Sequence, residues 1–214
     1  MNKILLLENK IDREGLHEIK SADINGLELI LGDIECNRIL NDFLDNHMIL
    51  EQYTTIIIHQ NIYEEEKRNL LFNKLKSYCK EKYLVIFSGG NNSISLRNDY
   101  LLELNSKNMY KNLFSYVEEF EKNNPQILIL GYGKKWELNI FLNILEHINI
   151  FLENNKNENF FDFDEFEYEI DLEELKKTNY QYSEIVSIKK SLSKNEILNI
   201  RDKIYKIIIE NSYE

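Results

Sequence analysis

The chain has 214 residues, 43% of them apolar and 12% aromatic, and carries a formal charge of −11. The length suits one large domain or a domain with an appendage, and the apolar share is enough for a packed core, which excludes global disorder. The acidic balance repels a phosphate backbone and disfavours nonspecific nucleic-acid binding, while no stretch approaches the roughly 20 apolar residues of a membrane span.

The start, MNKILLLENK, holds too short an apolar run for a signal peptide, and KILLLE (residues 3–8) reads as a strand buried on both faces. Residues 9–25 carry no clear periodicity; REGLHEIKSA predicts at most a short helix. GLELILG (26–32), bracketed by glycines, is a second strand, and Ile39, Leu40, Phe43 and Leu44 then follow at helical spacing. The β-branched YTTIIIHQ (53–60) is a third strand. Residues 63–82 predict a helix with Glu64–Glu66 at its positive end and Lys80 and Lys82 at its negative end. YLVIF (83–87) and YLLEL (100–104) are the next strands. Ser106 then caps a helix that carries Met109, Leu113, Tyr116, Val117 and Phe120 on one face. After Pro125, QILILGYG reads as a sixth strand and residues 136–154 as a long apolar helix.

Alternating strands and helices over residues 3–154 imply a doubly wound, mainly parallel α/β sheet of five or six strands. The composition then shifts, with Asn154–Asn159 as the candidate linker. Residues 155–214 read as an α-rich C-terminal appendage to a 1–154 domain. Between Glu158 and Glu174 lie nine acidic residues, no basic ones and five aromatics. EFEYEID within that segment alternates like a strand, and DLEELKK opens like a helix capped by Asp171. The tail is a helix with a Ser193/Glu196 capping box and an isoleucine stripe at 197, 200, 204, 207 and 208. Cys36 and Cys79 lie in predicted helices, far from metal-ligand spacing, and read as buried thiols of a reducing, cytoplasmic compartment.

Ligands of an open parallel sheet gather at the C-terminal ends of its strands. There the sequence delivers Glu8, Asn9 and Asp12; Gly32 and Asp33; His59, Gln60 and Asn61; Ser88 to Ser93; Asn105 to Lys107; and Gly131 to Lys135. With this set the N-terminal ~125 residues resemble the receiver domain of bacterial response regulators. The resemblance implies a flavodoxin-like fold, with Glu8 in place of the acidic pair, Ser88 at the hydroxyl position and Lys107 near the lysine position. The third strand, however, ends in His59-Gln60. Without a carboxylate no acyl phosphate forms there, and Mg²⁺ loses its hard oxygen ligands. The implied domain is a degenerate receiver with no cofactor and no metal.

SGGNNS also resembles the SGGxDS loop of the PP-loop ATP pyrophosphatases, with Asn92 where that motif has Asp. This implies a phosphate contact through Ser88, Gly89, Gly90 and Asn92; the competing reading is a tight turn. Gly131, Gly133 and Lys134 could hold an anion at a strand-to-helix turn, or serve packing alone. His59 is the one histidine expected at the sheet edge, where a Ser88/His59/Glu8 set would have the composition of a triad but lacks the nucleophile elbow. The acidic–aromatic stretch, with Phe161, Asp162, Phe163, Asp164 and Phe166, is either a solvated face or a complement to a basic, apolar groove on another protein. The leading expectation is a non-catalytic regulatory or scaffolding module that binds a protein partner. The alternatives are a nucleotide- or phosphate-binding domain using the 88–93 and 131–135 loops, and a subunit of a bacterial antiviral or conflict system.

Overall fold

The structure is a computed structural model describing residues 3–22, 24–63, 65–79, 82–90, 94–98, 100–121, 126–154, 160–162 and 191–211. The chain divides into two compact units, Met1–Lys134 and Lys135–Glu214.

The first unit opens with β1 (Lys3–Glu8), a short α1 (Leu16–Ser21), β2 (Leu27–Leu31) and α2 (Asp33–Asp45). A 3-10 turn (His47–Leu50) leads into β3 (Tyr53–His59). Lys82 Nζ fastens that corner by donating to the carbonyls of Leu50, Glu51 and Tyr53 at 3.1, 2.7 and 2.6 Å. Then come α3 (Glu65–Tyr78), β4 (Tyr83–Ser88), β5 (Ser95–Asn98), β6 (Leu101–Asn105), α4 (Ser106–Glu121) and α5 (Ile129–Tyr132).

The sheet order is β2-β1-β3-β4-β6-β5. The first five strands of that order are parallel, in the flavodoxin-like doubly wound arrangement, and only β5 runs antiparallel, on the outer edge of β6. β1, β3 and β4 are buried almost throughout, as expected of strands covered on both faces. Alternation along the pleat sorts their side chains. Leu5, Leu7, Ile56, Ile58, Leu84 and Ile86 pack with Leu40 and Phe43 of α2 and with Leu71 and Leu75 of α3. The opposite face carries α4: the fully buried Tyr116 meets Thr55 of β3 through a 2.7 Å hydroxyl–hydroxyl bond.

Two sequence expectations change here. Residues 126–133 form no strand: Ile127 and Leu128 are buried in a turn leading into α5, so Gly131 lies within a short helix and Gly133 closes it, rather than both following a strand. A short apolar run has no periodicity to separate a buried strand from a buried helical turn. The sixth strand is instead β5, which forms the hairpin with β6. The cap of α4 is also one residue earlier than expected, since Asn105 Oδ1 accepts the Asn108 amide at 2.8 Å.

The second unit holds α6 (Trp136–Asn154), β7 (Phe160–Asp162), β8 (Ser191–Ser193) and α7 (Lys194–Asn211). The composition shift at 154/155 thus lies inside this unit. α6 and α7 pack on each other, with Ile197 and Ile204 buried, and β7 pairs antiparallel with β8, setting Phe161 opposite Leu192. The capping box forms: Ser193 N–H donates to Glu196 Oε2 at 2.8 Å, and Glu196 N–H points back to Ser193 Oγ at 3.4 Å. Of the acidic segment 158–174 only residues 160–162 are described; Phe163, Asp164, Phe166, the expected strand and the Asp171 cap lie outside the described residues, as do residues 155–159 of the candidate linker. No helix among the described residues is long and apolar enough to cross a membrane.

Candidate functional site

The register sets Leu7 of β1 beside Ile58 of β3, so Glu8 and His59 are neighbours where the two strands end. This is the topological switch point, from which the chain winds outward in both directions. Both residues fall on the α4 face of the sheet. Both are buried, Glu8 completely and His59 to 2% exposure.

A buried carboxylate needs partners, since desolvating an unpaired charge costs several kcal/mol. Glu8 has three. Its Oε1 accepts the Lys10 amide at 2.9 Å, closing the first turn of the loop. Its Oε2 accepts the Tyr110 hydroxyl from α4 at 2.5 Å. The Arg13 guanidinium, with its Nε 3.0 Å from Oε2, supplies the opposite charge. That Nε–H is not aimed along the contact, so the pair is held by charge rather than by a formed hydrogen bond. Tyr110 is locked in turn: its ring meets Phe87 edge-on at 5.6 Å and lies against Gly15, where a Cβ would fall 2.5 Å from Cδ2. Burial, reinforced by the adjacent Glu8 charge, pushes the Tyr110 hydroxyl far above the usual phenol range, so it remains a donor.

Arg13 also reaches His59, its Nη2 lying 2.8 Å from Nε2. The Asn61 amide faces Nδ1 at 3.2 Å. Both neighbours are donors, but a neutral imidazole has one acceptor nitrogen. One tautomer accepts from Arg13 at Nε2 and the other from the Asn61 amide at Nδ1, so only one of the two contacts is a hydrogen bond at a time. Burial lowers the His59 pKa below 6.5, Glu8 opposing and Arg13, Lys10 and Arg68 adding to the shift. Because the folded pKa lies below the unfolded value, His59 contributes stability above pH ~6.5 that is lost as pH falls toward the folded pKa. The loss of melting temperature on acidification below pH ~6.5 is therefore expected to be smaller in His59→Gln than in the native chain. Parallel acid limbs for the two would remove His59 as its source.

The remaining sequence candidates do not join this cluster. β4 alternation places Phe87 on the Glu8 face and sends Ser88 to the opposite one, so Ser88, His59 and Glu8 form no triad. Gln60 is exposed, its amide bonded to the Phe87 carbonyl at 2.8 Å. Lys107 is exposed at the second position of α4. Gly89 and Gly90 sit in an exposed turn where a Cβ would meet open space; Asn92 lies outside the described residues. Gly131 and Gly133 have packing roles. A Cβ on Gly131 would come within 2.8 Å of Ile94, and Gly133 closes α5 at φ +85°. Asn112 Nδ2 holds the carbonyls of Leu130 and Gly131 at 3.2 and 3.3 Å, and Lys134 is paired with Glu118. Burial raises both thiols to about 12, leaving Cys36 and Cys79 protonated and unreactive. Among the described residues no three His, Cys, Asp or Glu side chains are grouped to hold a metal ion.

Arg13 and Tyr110 are the two functional-edge residues that sequence reasoning missed. Arg13 was visible as a cation five positions after the buried carboxylate. Tyr110 lies 102 positions from Glu8, and only the fold brings them together. Beside this cluster, the loop after β1 and the β2–α2 turn border an open cleft of about 740 Å³.

No family model matches the chain, and neither a curated protein nor a solved structure matches it.

Proposed function

We propose that the chain is a non-catalytic regulatory or scaffolding module, built on a degenerate receiver-like domain, that binds a protein partner. One observation carries this reading: the carboxylate at the sheet's ligand-binding edge is satisfied from within the fold. Receiver chemistry needs free acidic oxygens for Mg²⁺ and a carboxylate ending the third strand. Here Glu8 is engaged by Arg13, Tyr110 and a backbone amide, and β3 ends in a buried histidine whose Nε2 faces Arg13. An edge closed in this way suits a scaffold better than a turnover site. The partner is assigned to the acidic–aromatic segment because nine carboxylates among five aromatics match a basic, apolar surface.

The test uses the full chain, because α6 and α7 pack together and truncation at residue 154 would strip α6 of its cover. A variant with Asp162, Asp164, Glu165 and Glu167 changed to their amides, and Phe161 and Phe163 to Ser, is compared with the native chain by affinity capture from its source. A partner recovered by the native chain and lost by the variant is the expected result. Equal recovery would take the segment out of the account.

A further inference from the structure

The cleft beside β1 and β2 differs in character from the closed cluster next to it. Ile34, the second residue of α2, is 84% exposed, and Ile11 in the loop after β1 is 53% exposed. Single exposed aliphatic side chains are common on any surface, but two bordering one concavity are less so. Half-buried Leu31 lies in the same cleft.

The arrangement is built in by the backbone. Gly32 caps α2 at φ +90° without a capping side chain, where Ser, Asp or Asn is the ordinary choice. The Ile11 Cδ1 lies 3.3 Å from where a Gly32 Cβ would stand, so the glycine gives Ile11 room to lie over the start of the helix. Lys20 bonds the Ile11 carbonyl and fixes the loop from behind.

The charges decide what fits. Of the five charged residues lining the cleft, Arg13 is engaged by Glu8, and Glu35 by Arg38 at 3.0 Å. Asp12 and Asp33 remain without an ion-pair partner among the described residues, against the single cation Lys10. Asp33 and Glu35 already occupy the positive end of α2, so an anionic ligand would meet their carboxylates there.

We propose that this cleft is a docking site for a cationic, apolar-anchored segment of a protein partner, an aliphatic or aromatic side chain flanked by Lys or Arg. The anchor would sit against Ile11, Leu31 and Ile34, and the flanking cations against Asp12 and Asp33. This rests on the reading of the chain as a partner-binding module, but at a second surface, distinct from the acidic–aromatic segment.

The test is a titration of ¹⁵N-labelled full-length chain with three synthetic peptides: Lys/Arg-flanked with a Leu-Phe centre, the same with a Ser-Ser centre, and Glu-flanked with the Leu-Phe centre. The first peptide is expected to shift the amides of residues 10–12 and 31–35 saturably. Ile34→Ser, exposed enough to leave folding untouched, is expected to weaken it about tenfold, as is the Ser-Ser centre. Asp33→Asn is expected to weaken binding and flatten its salt dependence. Equal binding by Ile34→Ser would mean general attraction to an acidic chain and overturn the proposal. So would shifts confined to other residues, equal binding of the Glu-flanked peptide, no binding of any peptide, or shifts at 31–35 that depend on protein concentration alone, which would make a second copy the occupant. These outcomes leave partner capture through residues 158–174 unaffected, so the two readings fail separately.

Discussion

Replacing Arg13 with Met is expected to destabilise the sheet-bearing unit by about 3 kcal/mol, near the lower end for breaking a buried ion pair because Arg13 keeps 23% of its side chain exposed. The substitution retains most of the aliphatic volume and removes the charge. Glu8, with a side chain at 0% exposure, then keeps only Tyr110 and the Lys10 amide against a full negative charge. His59 loses the Arg13 contact at Nε2 in the same step. The effect reads as faster hydrogen exchange of the β1 and β3 amides under native conditions. Protection within a few tenths of a kcal/mol of the native chain's would show that solvent, not Arg13, balances the carboxylate.

Gly15→Ala is expected to destabilise by about 2 kcal/mol, against the usual sign for such a change. Gly15 has ordinary right-handed helical angles, φ −65° and ψ −12°, which alanine adopts without strain. The unfolded-state effect alone would therefore stabilise by ~0.4–1 kcal/mol. The new methyl, however, would lie 2.5, 2.6 and 2.8 Å from Tyr110 Cδ2, Cγ and Cβ. These atoms are the stem of the side chain rather than a flexible tip, so the ring must move as a whole. Its contact with Phe87 and its bond to Glu8 move with it, and overpacking of this kind typically costs 1–3 kcal/mol. Gly89→Ala is the matched control, since its methyl meets open space. Thermal unfolding of the three proteins settles the sign. A Gly15→Ala chain as stable as the control would mean that Tyr110 is free to yield.

The fold was legible where composition and period agree. KILLLE, GLELILG, YTTIIIHQ and YLVIF are continuous or β-branched runs of strand length between turn residues, and each is a parallel strand. The Ser193/Glu196 box and its isoleucine stripe announce α7 because capping and amphipathicity are local. ILILGY misleads because so short an apolar run has no periodicity to show whether it is buried as a strand or as a helical turn. β5 is missed because SLRN has neither apolar density nor alternation and is held by its pairing with β6.

The candidate site was half legible. The strand order β2-β1-β3 puts Glu8 and His59 at the ends of adjacent strands, an order implied by the receiver resemblance and not by the succession of strands along the chain. Pleat parity then removes Ser88, which a count of residues from the start of β4 could have shown. What closes the edge is long-range: Tyr110 arrives from α4, and Gly15 is small because a ring must pass over it. No local pattern encodes a contact between residues 15 and 110.

The reading of this edge as closed depends on Glu8 and Arg13 neutralising each other. A double-mutant cycle of Glu8→Leu, Arg13→Met and the pair measures that directly. The expected coupling is about 2 kcal/mol, with the double variant more stable than Arg13→Met alone because no buried charge is left unpaired. Additive effects, or a double variant less stable than both singles, would mean that the Glu8 carboxylate is not held by Arg13 and that the pair does not close this edge.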